Sequence, residues 1–380
     1  QQIAESYMAA GDKSGAVVAM EVNTGRLLVA ASAPSIHIGE FIGGISKDAW
    51  QALLDNPRHP LLNKVVQATY PPGSTYKMVT ALAGLAKGAI DENTTFYCPG
   101  QMSFGNRTYR CWKKGGHGTV NLQRAIGESC DVYFYQVGIK VGVDSLAEYA
   151  QKLGLGKKTG AEMEFEKEGL TPTKKWKQKY RKAKWQDGET LSVAIGQGFN
   201  IVTPLQMCVM TSAIANGGKA YRPKIVEQVT DPEGKIIENF TPELLSEAQG
   251  VDRFLQSIRS GMEDVVQGKR GTARNVAIEG LRIGGKTGTA QVVRLAQYKG
   301  LKEENIPYEY RDHAWFTCYA PAENPEIAVT VLVEHGLHGG SGAGPIARAV
   351  LAHYFTSKLE PGKADKAVPV VPEQQEEGGE

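Results

Sequence analysis

The sequence predicts a mixed α/β (α+β) fold in which strands from both ends of the chain join one sheet and a helical middle is inserted between them. Three observations predict it. Strand-like runs cluster at 15–32 and return only beyond residue 281. The stretch between them repeatedly places apolar residues at helical spacing. Hydrophobic residues make up 41% of the 380 and charged residues 22%, so a full core can be buried and wholesale disorder is excluded. The length allows two or three units or one large unit with insertions, and no internal repeat is present.

In chain order, Gly15 to Ser32 reads as a hairpin. Val17-Val18-Ala19-Met20 and Leu27-Leu28-Val29-Ala30 flank Asn23-Thr24-Gly25, a turn with residues that accept positive φ. Residues 34 to 62 carry Pro and Gly punctuation and read as irregular. Ser74 to Leu85 is a half-buried helix, with Met78, Val79, Leu82 and Leu85 in phase. Leu122 to Val137 and Ser145 to Leu153 read as helices. Another begins at Thr203-Pro204, where the hydroxyl can cap and Pro suits the first turn. Phe254 to Val266 is helical. Leu281 to Val293, Ala314 to Ala320 and Ile327 to Glu334 are strand-rich, and Ala343 to Tyr354 is a last helix. Residues 363–380, rich in Pro, Glu, Gly and Gln, read as a disordered tail.

Charge and cysteine content narrow the function classes. The chain has 43 basic and 41 acidic residues, a net charge of +2, so no global field recruits nucleic acid or an anionic membrane. No run approaches the ~18 apolar residues of a membrane span. The sequence starts at Gln1 and shows no signal peptide, so a fragment or processed form is expected. Five cysteines are too few for a disulfide scaffold, and the odd number leaves at least one unpaired.

Three short motifs carry chemistry. In Pro71-Pro72-Gly73-Ser74-Thr75-Tyr76-Lys77, a loop runs into a helix and puts Ser74 and Lys77 on one face. A hydroxyl becomes a nucleophile when a base takes its proton, and an amine can be that base if its surroundings lower its pKa. Taken alone, the pair reads equally as a capping Ser and a solvent-facing Lys. The second motif, Ser129-Cys130-Asp131, opens a helix and alone reads as a cap. The third is Lys286-Thr287-Gly288-Thr289, in a strand of small residues. Gly288 permits close approach of another group. Alternation puts Thr287 and Thr289 on one face as two hydroxyl donors for a carboxylate, with Lys286 adding charge from the strand's edge.

Together and in this order, the motifs resemble the Ser-x-x-Lys, Ser-x-Asn and Lys-Thr-Gly set of serine β-lactamases and penicillin-binding proteins. The chain is similar to the transpeptidase domain of class B penicillin-binding proteins, in their cell-elongation branch. The likeness runs from about Gly15 to Tyr354 and includes Ile195-Gly196-Gln197-Gly198 before Thr203-Pro204-Leu205-Gln206. It also includes His313-Ala314-Trp315-Phe316 and Tyr319-Ala320-Pro321. The resemblance implies an antiparallel sheet flanked by helices with an all-helical subdomain. Residues 15–362 would be this domain, and 1–14 a linker from a preceding region. It implies that Ser74 is acylated by the D-Ala-D-Ala end of a peptidoglycan stem peptide, or by a β-lactam. Lys77 would be the base, Ser129 a proton relay near Lys286, and Thr287 and Thr289 the carboxylate holders. The backbone N–H groups of Ser74 and Thr289 would form the oxyanion hole. Asp131 stands where many relatives carry Asn. The acyl group would then pass to an amine on a second stem peptide, in the service of cell elongation and shape. Passing it to water would instead make a D,D-carboxypeptidase or β-lactamase, and keeping it would make a penicillin-sensing receptor. No Glu sits in a recognisable deacylation motif. The resemblance further implies the periplasmic face of a bacterial inner membrane, an anchor outside this sequence and a membrane glycosyltransferase partner, with no nucleic acid.

Other features carry alternatives. Cys98, Cys111, His117 and Cys130 are donors of the set zinc prefers, though the spacings are long and no Cys-x-x-Cys occurs. A Cys98–Cys111 disulfide or unrelated buried thiols compete with this reading. Some relatives carry zinc ligands in this segment, which adds weight to a structural zinc. Cys208 and Cys318 read as core cysteines. Seven of the eleven residues from Lys174 to Lys184 are basic, interleaved with Trp176 and Tyr180. A solvated loop is the simplest reading; nucleic acid, lipid headgroups or cell-wall polymer are the others. Gly339 to Gly344 lacks a phosphate-loop ending and reads as the turn into the last helix. His335 and His338 are not expected to be ligands.

Overall fold

A computed structural model of the chain describes residues 1–292, 301 and 305–359. The tail expected at 363–380, and Val293 at the end of one expected strand, lie outside the described residues. The chain opens with helix α1 (Gln2–Ala10), within a stretch to which the sequence assigned no element. Ala4 and Met8 are four apart and fully buried, which anchors the helix on the sheet. The expected hairpin follows as β1 (Gly15–Glu21) and β2 (Leu27–Ala33), with Gly25 at φ 87° in its turn. Residues 34–62 are not wholly irregular. Helix α2 (Lys47–Asp55) forms in the stretch free of Pro and Gly, where Ser46 Oγ accepts from the Ala49 N–H at 3.2 Å.

A helical subdomain occupies the middle. It begins with a 3₁₀ turn (Gly73–Tyr76) leading into α3 (Lys77–Ala86). Two small antiparallel pairs come next: β3 (Phe96–Cys98) with β6 (Gly118–Val120), and between them β4 (Gln101–Phe104) with β5 (Arg107–Arg110). Helices α4 (Leu122–Gly127) and α5 (Asp131–Lys152) follow, α5 breaking at Gly142. The basic run is not a loop. It forms α6 (Lys174–Arg181), because Thr173 Oγ1 accepts from the Trp176 N–H at 2.9 Å and caps it. Helix α7 (Asp187–Ala194), also absent from the sequence reading, packs on α5.

Helix α8 (Pro204–Ala215) starts where Thr203-Pro204 predicts, with Thr203 and Gln206 in a reciprocal capping box. Beyond it lie β7 (Lys219–Tyr221) paired with β10 (Leu244–Glu247), and β8 (Gln228–Thr230) paired with β9 (Ile236–Asn239). Helix α9 (Asp252–Gln267), strands β11 (Gly284–Ala290), β12 (His313–Ala320) and β13 (Ile327–Val333), and helix α10 (Gly344–Leu359) complete the chain. The main sheet has the order β11-β12-β13-β1-β2, antiparallel throughout, so the two chain ends do share one sheet. Strands β1 and β13 are buried along nearly their whole length. Helix α8 packs on this pair and α9 on β11, while α10 packs on β12 and β13 and α1 on β2. Cys208 on α8 and Cys318 on β12 are fully buried in this core.

Candidate active site

Ser74 lies at the seam between sheet and helical subdomain. It is held by a 3₁₀ turn rather than the first α-turn that the sequence predicted. Such a turn has three residues per repeat, so Ser74 and Lys77 stack on one side. The turn is tied to β11 through Gly73, which sits at φ 56°. A Cβ there would come within 2.4 Å of the Thr289 carbonyl oxygen. Only glycine allows this approach, which brings Ser74 and Thr289 to one place. Gly288 serves the same end from the strand: a Cβ on it would lie 2.9 Å from Thr75 Cγ2 and 3.0 Å from the Pro72 oxygen. The Trp315 indole N–H donates to the Pro71 oxygen at 3.0 Å and pins the preceding loop to β12.

Lys77 is fully buried. Its Nζ donates to Asp131 Oδ1 at 2.7 Å, to the Ser129 carbonyl oxygen at 2.9 Å and to Ser129 Oγ at 3.1 Å. Lys286 approaches the same hydroxyl from the sheet side, its Nζ 2.9 Å from Ser129 Oγ. Lys286 does not project from the strand's edge; alternation on β11 turns it inward with Gly288, fully buried, while Thr287 and Thr289 face the cleft half-exposed. Burial holds the Lys286 amine well below its ordinary pKa. The positive charge of Lys77 acts in the same direction, and Asp131 opposes both. Ser129 adopts φ 55°, a left-handed conformation uncommon outside glycine, in the joint between α4 and α5. The joint presents both its carbonyl and its hydroxyl to Lys77.

Thr287 Oγ1 is 2.8 Å from Thr272 Oγ1, in the loop after α9, and the turn at Gly340 packs over Thr272. Gln197, in the segment noted for its resemblance, donates from Nε2 to the Thr289 oxygen at 3.0 Å, and the Gly196 oxygen accepts from the Gly73 N–H at 3.0 Å. The sequence reading did not identify Thr272. Nor did it find Trp112, whose backbone N–H donates to Asp131 Oδ2 at 2.9 Å and whose indole N–H donates to the Ser129 oxygen at 3.1 Å. Its place directly after Cys111 was the one available signal.

The second group of predicted residues also comes together. The donor atoms of Cys98, Cys111, His117 and Cys130 all lie within 4.8 Å of one another, and all four residues are buried. The two strand pairs between α3 and α4 deliver the first three; Cys130 is the residue before α5. His117 Nδ1 is 3.6 Å from Cys98 Sγ and 3.5 Å from Cys111 Sγ. A hydrogen bond with Cys130, joined by one with His117, favours the thiolate at Cys111, and the same contact pushes the Cys130 thiol up. Among the described residues, the imidazole Nε2 is buried without a partner. All five cysteines are free, Cys98 and Cys111 included. Three soft thiols and an imidazole, closed off from solvent, could hold one tetrahedral ion. His335, by contrast, hydrogen-bonds the Arg311 oxygen through Nδ1.

The family described as "Penicillin binding protein transpeptidase domain" matches residues 15–352. The peptidoglycan D,D-transpeptidase MrdA of Acinetobacter baumannii is 38% identical over 359 residues, covering 94% of this chain and 53% of that protein. Among solved structures, Helicobacter pylori PBP2, in a complex with MreC, superposes with a TM-score of 0.82 at 38% identity, covering 94% of this chain and 63% of that one. Pseudomonas aeruginosa PBP2 bound to WCK 5153 gives a TM-score of 0.82 at 36% identity, covering 97% and 76%. The chain spans about half the length of the curated relatives it matches.

Proposed function

This chain belongs to the family of penicillin-binding protein transpeptidase domains, and we propose that it is a serine-type D-Ala-D-Ala transpeptidase that cross-links peptidoglycan. The observation that carries the proposal is the hydroxyl of Ser129, within 3.1 Å of Lys77 Nζ and 2.9 Å of Lys286 Nζ. Residues from three distant parts of the chain thus meet at one buried hydroxyl, and Lys77 directly follows the 3₁₀ turn that carries Ser74. In the reaction, Ser74 Oγ attacks the carbonyl of the penultimate D-Ala as Lys77, in its neutral form, takes its proton. The oxyanion is received by the backbone N–H groups of Ser74 and Thr289, which the close approach of Gly73 to Thr289 brings together. Thr287 and Thr289 donate to the terminal carboxylate. The amide C–N bond then breaks. Ser129 passes its proton to the leaving D-Ala amine and is reprotonated from the lysine side. An amine of a second stem peptide attacks the ester, the C–O bond to Ser74 breaks, and the proton lost by the amine passes by way of Lys77 to Ser74 Oγ. β-Lactams enter the same path and stop at the ester.

Intact mass after incubation with a β-lactam, followed by mapping of the modified residue, tests the acyl-enzyme. Incubation with a pentapeptide donor and an amine acceptor tests the transfer. The expected result is one adduct on Ser74 and release of D-Ala with a cross-linked product. D-Ala release without cross-linking would mean a carboxypeptidase, and an adduct with no turnover would mean a receptor.

The cysteine–histidine cluster we assign to a structural zinc, held by Cys98, Cys111, His117 and Cys130. Four protein ligands leave no position for a reactive water, so the ion's contribution would be to hold the fold. We further propose that the whole protein works at the periplasmic face of the inner membrane, anchored outside this chain, beside a glycosyltransferase and a partner like the MreC found in complex with its H. pylori relative. Among the described residues no helix is long and apolar enough to cross a membrane. Membrane fractionation and co-purification of the full-length protein test these placements.

A further inference from the structure

We propose that the cationic, aromatic face of α6 is a docking subsite for the peptidoglycan strand itself, a polymer of sugar rings that carries free stem-peptide carboxylates. The inference rests on the reading of the chain as a peptidoglycan transpeptidase.

The charge is concentrated and unpaired. The segment from Lys174 to Lys184 carries seven positive charges and no acidic residue, although the whole chain carries only +2. Lys177 is buried and engages both oxygens of Glu189 at 2.6 Å, which fastens the helix to α7. Among the described residues, none of the six other cations has a carboxylate within ion-pairing distance. Lys182 ends the helix in the left-handed conformation, φ 52°, where glycine is the ordinary choice. Charge is thus kept at a position that favours another residue.

The aromatic residues form a platform rather than a hydrophobic plug. Trp176 lies 5.2 Å from Phe199 and 6.3 Å from Tyr180, and Trp185 lies 6.2 Å from Phe199. The Arg181 guanidinium stands 5.9 Å from the ring centres of both Trp176 and Phe199. Tyr180 is 63% exposed. A shallow depression beside the helix is lined by Lys174, Lys175, Gln178, Lys184, Trp185 and Asp187. Aromatic faces flanked by lysine and arginine suit sugar rings and carboxylates together. A helix lying on lipid would instead turn a continuous apolar face of Trp, Phe or Leu outward. Residues 174–184 contain no Leu, Ile, Val or Phe, and Trp176 and Trp185 turn partly into the protein.

Position selects the substrate strand as occupant. Phe199, on which the platform rests, belongs to the loop that runs from α7 to α8. Three residues earlier in that loop, Gly196 accepts from Gly73; Gln197 donates to Thr289. The α6 surface is therefore one loop removed from both halves of the catalytic cleft. A strand whose stem peptide reaches Ser74 can lie across it.

The test compares the wild-type chain with the triple variant Lys175→Gln/Lys179→Gln/Lys182→Gln and with Lys→Arg at the same three positions. All three residues are exposed, so the folds should persist, and circular dichroism checks that they do. Binding to isolated peptidoglycan strands should weaken by about tenfold or more in the Gln variant, the sum of three modest charge contacts, and persist in the Arg variant. The wild type should lose the same increment when strand carboxylates are amidated or salt is raised. Acylation by a small β-lactam, which does not reach α6, should be unchanged in all three. Equal strand binding by wild type and Gln variant overturns the subsite. So does preferential binding to phosphatidylglycerol vesicles over strands. Failure of the wild type to form a β-lactam adduct would instead strike the transpeptidase reading, and is read independently of strand binding.

Discussion

Asp131 is gripped at both oxygens: Oδ1 accepts from Lys77 Nζ at 2.7 Å, and Oδ2 accepts from the backbone N–H of Trp112 at 2.9 Å. The second contact reaches across from the cysteine cluster, since Trp112 directly follows Cys111. The carboxylate that orients the base is therefore held from the candidate metal site. Asn at this position would turn its NH₂, which cannot accept, toward one of the two donors. The carboxylate found here satisfies both.

Ser74→Ala should leave a folded protein that forms no β-lactam adduct. Pro72, not Ser74, is the residue before the 3₁₀ turn, and no side-chain cap is lost. The melting temperature should change by no more than a surface substitution causes, about 0.5 kcal/mol in stability. Intact mass and a thermal melt check both halves. An adduct formed at the wild-type rate would remove Ser74 from the mechanism.

Asp131→Asn should extend to lower pH the range over which the fold gains stability as pH rises. Asp131 is the group that raises the Lys286 pKa against burial and Lys77. Without its charge, Lys286 stays neutral further down the pH scale. Linkage turns this into a stability readout. The folded chain binds fewer protons at Lys286 than the unfolded one between the lowered pKa and the ordinary 10.5. Stability rises with pH across that window. In the variant the window extends further down. Melts across pH measure it, and a shift of the window to higher pH would remove Asp131 from the control of Lys286.

Thr287→Val or Thr289→Val removes a hydroxyl at similar volume. Binding of a β-lactam carboxylate should weaken by about 1–3 kcal/mol, the worth of a hydrogen bond to a charged group. A β-lactam ester should feel the change less. Thr287 also meets Thr272 at 2.8 Å, so Thr272→Val should produce a milder form of the Thr287 defect. Equal losses for acid and ester would indicate strand distortion instead.

Cys111→Ser should lose the metal and slow acylation together. Protein purified without added metal should carry about one zinc per chain, because binding at a closed site is also folding energy. In the variant the melting temperature should fall. The acylation rate should fall with it, since Trp112 no longer has a fixed place from which to hold Asp131. Metal-free wild type with full activity would sever the cluster from catalysis.

Much of the site is written in local sequence. Ser74 with Lys77, Ser129 with Asp131, and Lys286 to Thr289 are short motifs, legible because catalytic side chains must project together from one turn or strand. The β1–β2 hairpin and the Thr203–Gln206 cap are legible for the same reason: their interactions close within a few residues. The helix α6 was hidden because charge density suggested solvent, whereas a cap and one buried pair, Lys177 with Glu189, were enough to order it. What only the tertiary structure decided is how the motifs meet. Lys286 lies 157 residues from the Ser129 hydroxyl it contacts, and Thr272 and Trp112 belong to no motif. No spacing rule joins such residues. Their meeting depends on sheet closure between the chain ends and on glycines at 73 and 288 that let backbones nearly touch. The depressed pKa of Lys286 likewise follows from burial, which a sequence alone does not specify.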